Sequence, residues 1–403
     1  MCMDFSSLAS RYGTPLYVYD FDQIKSQFLQ LKEAFAGRKS LIAYAIKANS
    51  NLSVIQHLGK LESGADCVSI GEVKRALKAG IPPYKIIFSG VGKRDEEILE
   101  ALSLEILMIN VESEAELLRV ESLAKSLGKV ARISIRVNPD IDPKTHPYIS
   151  TGLSENKFGV DIESAKRLYI LCAKSESLHP VGIHFHIGSQ LTELEPLLES
   201  AKKVADLTRS LLALKIEIKF FDVGGGLGIR YKDETPINLY DYAQGILAAL
   251  HGLDVTIVCE PGRFIVGNAG CFLTRVLYEK QNEKKRFVIV DGAMNDLLRP
   301  SLYKAYHEAF APKGGESFSE ADIVGPVCES GDWLAKGVML PPLEHGDLIV
   351  IKSAGAYGFS MSSQYNTRAR AAEVALEGGE SRLIRAREEI ESLWQNELEL
   401  LQN

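Results

Sequence analysis

The sequence predicts an α/β protein, a (β/α)8 TIM-type barrel with a second, β-rich domain built from the C-terminal part of the chain and one N-terminal strand. Three observations predict it. From residue 41, apolar β-branched runs alternate with amphipathic helical patterns until eight runs have passed. After Arg263 the rhythm changes to apolar runs joined by turn-like links with few helices. The run LYVYD (16–20) lies before the first barrel strand and also reads as a strand, so that both ends of the chain build the β-rich domain.

Taken in order, LIAYAIK (41–47) precedes the helical pattern NLSVIQHLGKL, and GADCVS (64–69) precedes GEVKRALKAG. KIIFSG (85–90) leads to KRDEEILEAL, and ILMINV (106–111) to ESEAELLRVESLAKSLG. ARISIRVNP (131–139) reaches DIESAKRLYILCAK through a long loop, and PVGIHFHIGS (180–189) precedes a long helix near 192–213. IKFFDVGGGLG (218–228) leads to INLYDYAQGILAAL, and DVTIVCEPGR (254–263) is the last of the eight. Continuous apolar strands alternating with helices imply a parallel sheet covered on its outer face, and eight such units favour closure into a barrel. The barrel is expected over 22–264, and the β-rich domain over 1–21 and 265–403. Within the latter, CFLTRVLYEKQ, KRFVIVDG, DIVGPVC and HGDLIVIKSAG read as strands, and the tail RLIRAREEIESLWQNELELL as an amphipathic helix.

Composition narrows the function. The 403 residues are 46% apolar and 25% charged, ordinary for a globular protein, and the net charge of −7 argues against nucleic acid or an anionic membrane as main partner. MCMDFSSLAS has no basic residues followed by an apolar core, so no secretory signal is expected, and no apolar run approaches the length of a membrane span. The six cysteines (Cys2, Cys67, Cys172, Cys259, Cys271 and Cys328) form no CxxC pair and read as reduced thiols of a cytoplasmic protein, mostly in the core. No metal site is expected, and His184 with His186 is not read as a zinc pair.

In a barrel the C-terminal ends of the strands build the active site. Here those ends carry Lys47, Asp66, Ser89, Asn138, His186 with Ser189, the glycines at 224–228, and Glu260 with Arg263. Buried lysine and glutamate are rare unless paired, so polar groups at seven of eight strand ends mark a site. Gly224, Gly225 and Gly226 could turn backbone N–H groups toward an anion, or simply make a tight turn. The stretch CEPGR offers the Glu260 carboxylate, a turn at Pro261 and Gly262, and the Arg263 guanidinium. A lysine amine, an anion cradle, an imidazole to stack on a planar ring and a carboxylate for a ring nitrogen together suit pyridoxal 5'-phosphate. On that reading Lys47 forms the Schiff base, His186 stacks on the ring and Glu260 keeps its nitrogen protonated. The glycines, Ser189, Arg263 and Tyr357 hold the phosphate.

The motifs YAIKANSN, HFHIGSQ, GGGLGI, EPGR, MNDLLRPSLY, GPVCESGD and GAYGFSMSSQYN span residues 44 to 366. In that order they resemble the alanine-racemase-like, fold-type III pyridoxal-phosphate enzymes, and within them the diaminopimelate decarboxylases. The resemblance implies decarboxylation of meso-2,6-diaminopimelate to L-lysine and carbon dioxide by a homodimer with shared sites. It implies that Asp66 lies near the cofactor and that Arg263, Arg299 and Tyr303 grip substrate carboxylates. Glu329 would meet the distal ammonium, and Tyr357 the phosphate or substrate. Cys328 would come from the neighbouring subunit to reprotonate the α-carbon. The rival readings are a related decarboxylase of ornithine, arginine or carboxynorspermidine, and a non-catalytic cofactor-binding homologue. Arg299 with Tyr303 argues against the first, because a diamine precursor gives a guanidinium there no carboxylate to hold.

Overall fold

The computed structural model describes residues 4–142, 151–152 and 157–401. Cys2 and part of the long loop before the fifth barrel helix lie outside the described residues. The chain divides into two compact units, one of Lys25–Ile229 with Thr235–Phe264, the other of Met1–Ile24, Arg230–Glu234 and Ile265–Asn403.

In chain order the strands are β1 (Leu16–Asp20), β2 (Ser40–Ala45), β3 (Gly64–Cys67), β4 (Ile86–Phe88), β5 (Met108–Val111) and β6 (Ala131–Arg136). They continue as β7 (Leu178–His184), β8 (Phe220–Asp222), β9 (Thr256–Cys259), β10 (Gly270–Gln281), β11 (Arg286–Val290) and β12 (Ala309–Phe310). The last are β13 (Ser319–Val324), β14 (Trp333–Leu340), β15 (Leu348–Ile351), β16 (Ala372–Glu377) and β17 (Glu380–Arg385).

Strands β2 to β9 form a closed barrel, each parallel to the next, with β2 pairing β9 through Ser40↔Ile257 and Ile42↔Cys259. Apolar side chains, mostly small or branched, fill its interior, among them Ala43, Ile87, Val181 and Val258, with the unbranched Met108. The polar residues that follow the strands also start the helices. Asn51 accepts from Ser53 N at the head of the helix Leu52–Lys60, and Ser69, Ser113, Asp161 and Asn238 cap four later helices in the same way. The expected barrel is therefore present, with strands shorter than their apolar runs.

The other unit is built on one mixed sheet. Strand β1 lies inside it, antiparallel to β10 and parallel to β16. Leu16, Val18, Leu273, Val350 and Val374 share one buried cluster, each such side chain contributing about 1.5–3 kcal/mol when taken from water. The N-terminal strand thus joins the C-terminal part, as the sequence led us to expect. The tail differs from expectation. RLIR is the end of β17, paired antiparallel to β16, and only a short 3-10 turn (Ile390–Trp394) and the helix Gln395–Leu398 follow. Strong helix formers there are overridden by the open edge of β16, which supplies ladder partners that an isolated helix lacks. Among the described residues no helix is long and apolar enough to cross a membrane.

Candidate active site

Lys47 does not end a strand. Strand β2 stops at Ala45, and Lys47 sits in a 3-10 turn, Ile46–Ala48, just beyond it. Its amine reaches Asp66 Oδ2 at the end of β3, 2.8 Å away. The lysine side chain is 39% exposed while that of Asp66 is fully buried, so the amine faces the barrel mouth from a buried anchor. Burial, reinforced by the charge of Glu260, raises the Asp66 carboxyl above its ordinary range, while Lys47 and Ser89 pull it back.

The turn after β9 lies directly against the Lys47 turn. Ala45 N donates to the Pro261 carbonyl at 3.0 Å, and a Cβ on Gly262 would stand 2.9 Å from that of Ala48. Lys47 and Glu260 therefore occupy the same end of the barrel, just beyond two paired strands. Glu260 is buried, with Oε2 3.2 Å from His184 Nε2. Burial alone would raise its pKa; the His184 ring, Lys47 and a hydrogen bond from Asp222 override that and hold it at about 2. Asp222 moves the other way, raised well above the carboxylate range by burial and by Glu260. The site thus keeps one carboxylate ionised beside one driven toward its protonated form. His184, Asp222 and Glu260 each bring one ligand-type atom within 4.8 Å of the others, but a protonated Asp222 is a poor metal ligand.

His186 lies two residues beyond the last residue of β7. The Nδ1 of His186 accepts from Gly225 N at 3.2 Å, and its carbonyl takes Arg136 Nη2 and Thr151 Oγ1. Burial, with the charges of Arg136 and Lys47, lowers its pKa well below the usual histidine range, so the ring is neutral.

Two of the three glycine N–H groups are spoken for within the fold: Gly224 N binds Asp222 Oδ1 at 2.9 Å and Gly225 N binds His186. The Gly226 N–H has no hydrogen-bond partner among the described residues. The glycines are needed chiefly for close approach, since a Cβ on Gly225 would stand 2.2 Å from the Glu260 carbonyl oxygen. Arg263 Nη2 is 3.1 Å from Ser189 Oγ, which brings those two residues together.

The remaining candidates belong to the β-rich unit. Arg299 opens the helix Arg299–Tyr303 and is buried. Tyr303, one turn on, is half-buried, as is Tyr357, which sits at φ +57°. Glu329 and Cys328 are exposed and adjacent. Glu329 binds the Tyr365 hydroxyl, and Cys328 N donates to Asn366 Oδ1 at 3.0 Å. Cys67, Cys172, Cys259 and Cys271 are free and buried, so Cys328 alone among the described cysteines is exposed. Sequence reasoning missed His184, Asp222 and Arg136. Their signal was available: titratable residues inside the apolar runs GIHFHIG, FFDV and ISIRV.

A family described as "Pyridoxal-dependent decarboxylase, pyridoxal binding domain" matches residues 21–267. The chain is 61% identical to the diaminopimelate decarboxylase of Campylobacter jejuni over 390 residues, 96% of this chain and 97% of that one. It superposes on the crystal structure of Helicobacter pylori diaminopimelate decarboxylase complexed with L-lysine with a TM-score of 0.96 and 59% identity, covering 99% and 100% of the two chains. A lysine/ornithine decarboxylase from Vibrio vulnificus complexed with cadaverine shares the fold at 24% identity, TM-score 0.82, with 92% of this chain and 95% of that one covered. The chain belongs to the pyridoxal-dependent decarboxylases, and within them to the diaminopimelate decarboxylase family.

Proposed function

We propose a division of roles among named residues for the reaction of this family, the decarboxylation of meso-2,6-diaminopimelate to L-lysine and carbon dioxide, which makes the chain a pyridoxal-phosphate-dependent carboxy-lyase of lysine biosynthesis. The observation that carries the assignment is that a partly exposed lysine amine and a buried, ionised carboxylate stand at the same barrel end, just beyond two neighbouring strands.

The donor set fits pyridoxal phosphate. Lys47 offers an amine, Glu260 an ionised acceptor in a water-poor site, and Gly226, Ser189 and Arg263 offer N–H, hydroxyl and guanidinium donors for a phosphate. When bound, the cofactor supplies an aldehyde for amine capture and a cationic ring that takes up the electron pair of the breaking bond. Lys47 would hold the cofactor by its aldehyde, and Asp66 orients the Lys47 amine. Glu260 would take the ring N–H, and the neutral His186 would offer the ring a stacking partner without adding charge. Pro261 and Gly262 shape the turn that sets Glu260 against Lys47. The phosphate is held by the Gly224–Gly226 segment, Ser189, Arg263 and Tyr357.

At the substrate's far end Arg299, with Tyr303, takes the carboxylate as a planar fork and Glu329 takes the ammonium; Arg263 and Tyr357 reach toward the reacting end. The exposed Cys328 of a second copy returns the proton to the α-carbon, so the working unit is a homodimer whose sites each borrow a residue. The barrel, 22–264, carries the cofactor; residues 1–21 and 265–403 form the domain that recognises substrate. The protein works in the cytoplasm.

The test is carbon dioxide release from meso-diaminopimelate by the purified protein with added pyridoxal phosphate, with ornithine as the comparison. Lys47→Ala is expected to lose the visible imine band and to fall by about 10³-fold or more in turnover. Equal turnover of ornithine sinks the substrate assignment. An intact imine band in Lys47→Ala sinks the role of the lysine.

A further inference from the structure

Arg299 is held by a device of its own. Its Nη1 stands 2.8 Å from His307 Nε2, and the other ring nitrogen, Nδ1, stands 2.9 Å from the Lys352 carbonyl oxygen. A guanidinium only donates and a carbonyl only accepts. The imidazole must therefore carry its proton on Nδ1 and keep the lone pair on Nε2, neutral and in one tautomer. Tyr231 lies beneath the guanidinium, its ring centroid 4.7 Å from Arg299 Cζ, and stands nearly edge-on to His307 at 5.5 Å and 79°. Arg299 and His307 are both buried, at 7% and 2% exposure.

The sheet sets this arrangement. His307 lies just before β12, which pairs β15 through Ala309↔Ile351, and Lys352 N donates to the Glu308 carbonyl at 2.8 Å. That pairing brings the Lys352 carbonyl beside the His307 ring. The backbone fixes the histidine, and the histidine fixes the arginine. A neutral acceptor holds a guanidinium in place without cancelling its charge, whereas an aspartate or glutamate at 307 would neutralise the group that has to attract a carboxylate.

We propose that His307, with Tyr231 as a floor, is a positioning residue that aims Arg299 at the far carboxylate of the substrate and so sets specificity for a substrate with an amino-acid group at both ends. The inference rests on the role given to Arg299 above. Decarboxylation at one end leaves the other intact, so L-lysine still carries the carboxylate that Arg299 grips, and cadaverine does not.

The experiment uses the full-length holoenzyme and compares His307→Phe, His307→Gln and Arg299→Gln. KM and kcat are measured for meso-diaminopimelate, and inhibition constants for L-lysine and for cadaverine. Phenylalanine keeps the ring but offers no acceptor. It is expected to raise KM and the lysine constant about ten- to a hundredfold, the worth of one hydrogen bond to a charged group, with kcat and the cadaverine constant within about twofold. Glutamine restores an acceptor toward Arg299 and recovers most of the loss. In the unmutated protein, nitrogen NMR of labelled histidine is expected to place the His307 proton on Nδ1. A proton on Nε2, or an equal loss of lysine and cadaverine in His307→Phe, overturns the inference. If Arg299→Gln abolishes the preference for lysine over cadaverine and His307→Phe does not, the positioning role alone is wrong. If Arg299→Gln leaves that preference intact, the carboxylate role of Arg299 falls and the inference falls with it.

Discussion

Replacing Gly225 by alanine would drive a methyl carbon into the backbone of Glu260. The added Cβ would stand 2.2 Å from the carbonyl oxygen and 3.1 Å from the carbonyl carbon. Ordinary contact begins near about 3.5 Å, so the two segments have to part by about 1 Å. Neither can yield alone. Gly225 N is tied to His186 Nδ1 at 3.2 Å, and Glu260 N to the Gly224 carbonyl at 2.8 Å. The strain therefore spreads to the imidazole and to the carboxylate opposite Lys47. Overpacking of this kind costs about 1–3 kcal/mol of stability, and a displacement of about 1 Å at a reacting centre costs about 10²-fold in rate. Urea unfolding and carbon dioxide release measure the two effects. Gly92→Ala is the comparison, because a Cβ there meets nothing within 4 Å, and it should be between neutral and about 1 kcal/mol more stable. If Gly225→Ala unfolds with the unmutated protein and turns over within about threefold of it, the close approach of the two loops is not what requires glycine.

Two further outcomes test the electrostatics. Burial holds Asp296 at about 7, with Ala293 N and Arg368 opposing. Its folded pKa is raised above the unfolded value, near about 4, so the folded state keeps a proton that the unfolded state releases. Stability from this residue is greatest below pH 4 and is lost as pH rises to 7, by about 4 kcal/mol. Asp296→Asn should remove that slope, gaining on the unmutated protein from pH 4 to pH 8 in denaturant titrations; parallel curves would refute the assignment. Lys93 is buried and donates to the Gly90 and Asn110 carbonyls and to Glu116 Oε1 at 2.7, 2.6 and 2.7 Å. Lys93→Met leaves that carboxylate and two carbonyls without their cation and should cost about 3–5 kcal/mol in urea unfolding; a loss below about 1 kcal/mol would mean that the bonds are replaced by water.

The barrel was legible because its strands are largely buried on both faces and read as mainly apolar runs followed by helical patterns. The β-rich unit was less so. Strand β14 has a mixed burial pattern, and β17 has little buried surface at all. Their pairing is decided by neighbours far along the chain, which local patterns do not carry. In the site, Lys47 and Glu260 stood out as charges at the ends of apolar runs. The 3-10 turn that presents the lysine did not, since three residues leave no periodicity to read. His184 and Asp222 looked like core residues because they are in the core. Only the pairing of β7 with β8 and of β8 with β9 makes them neighbours of Glu260. His307 gave no signal of its own, because its meaning lies in two distances to groups on other segments.

The interior position of β1 bears on how the protein is made. Leu16 to Tyr19 leave the ribosome early, yet one edge partner, β16, is synthesised about 350 residues later. At about 5–20 residues per second, that strand waits roughly ten seconds to a minute before β10 can cover one edge, and longer before β16 covers the other. The barrel residues are all translated within that interval. Nascent chains are therefore expected to carry a finished barrel and a sticky apolar segment together, which makes the first twenty residues the natural place for a chaperone to hold.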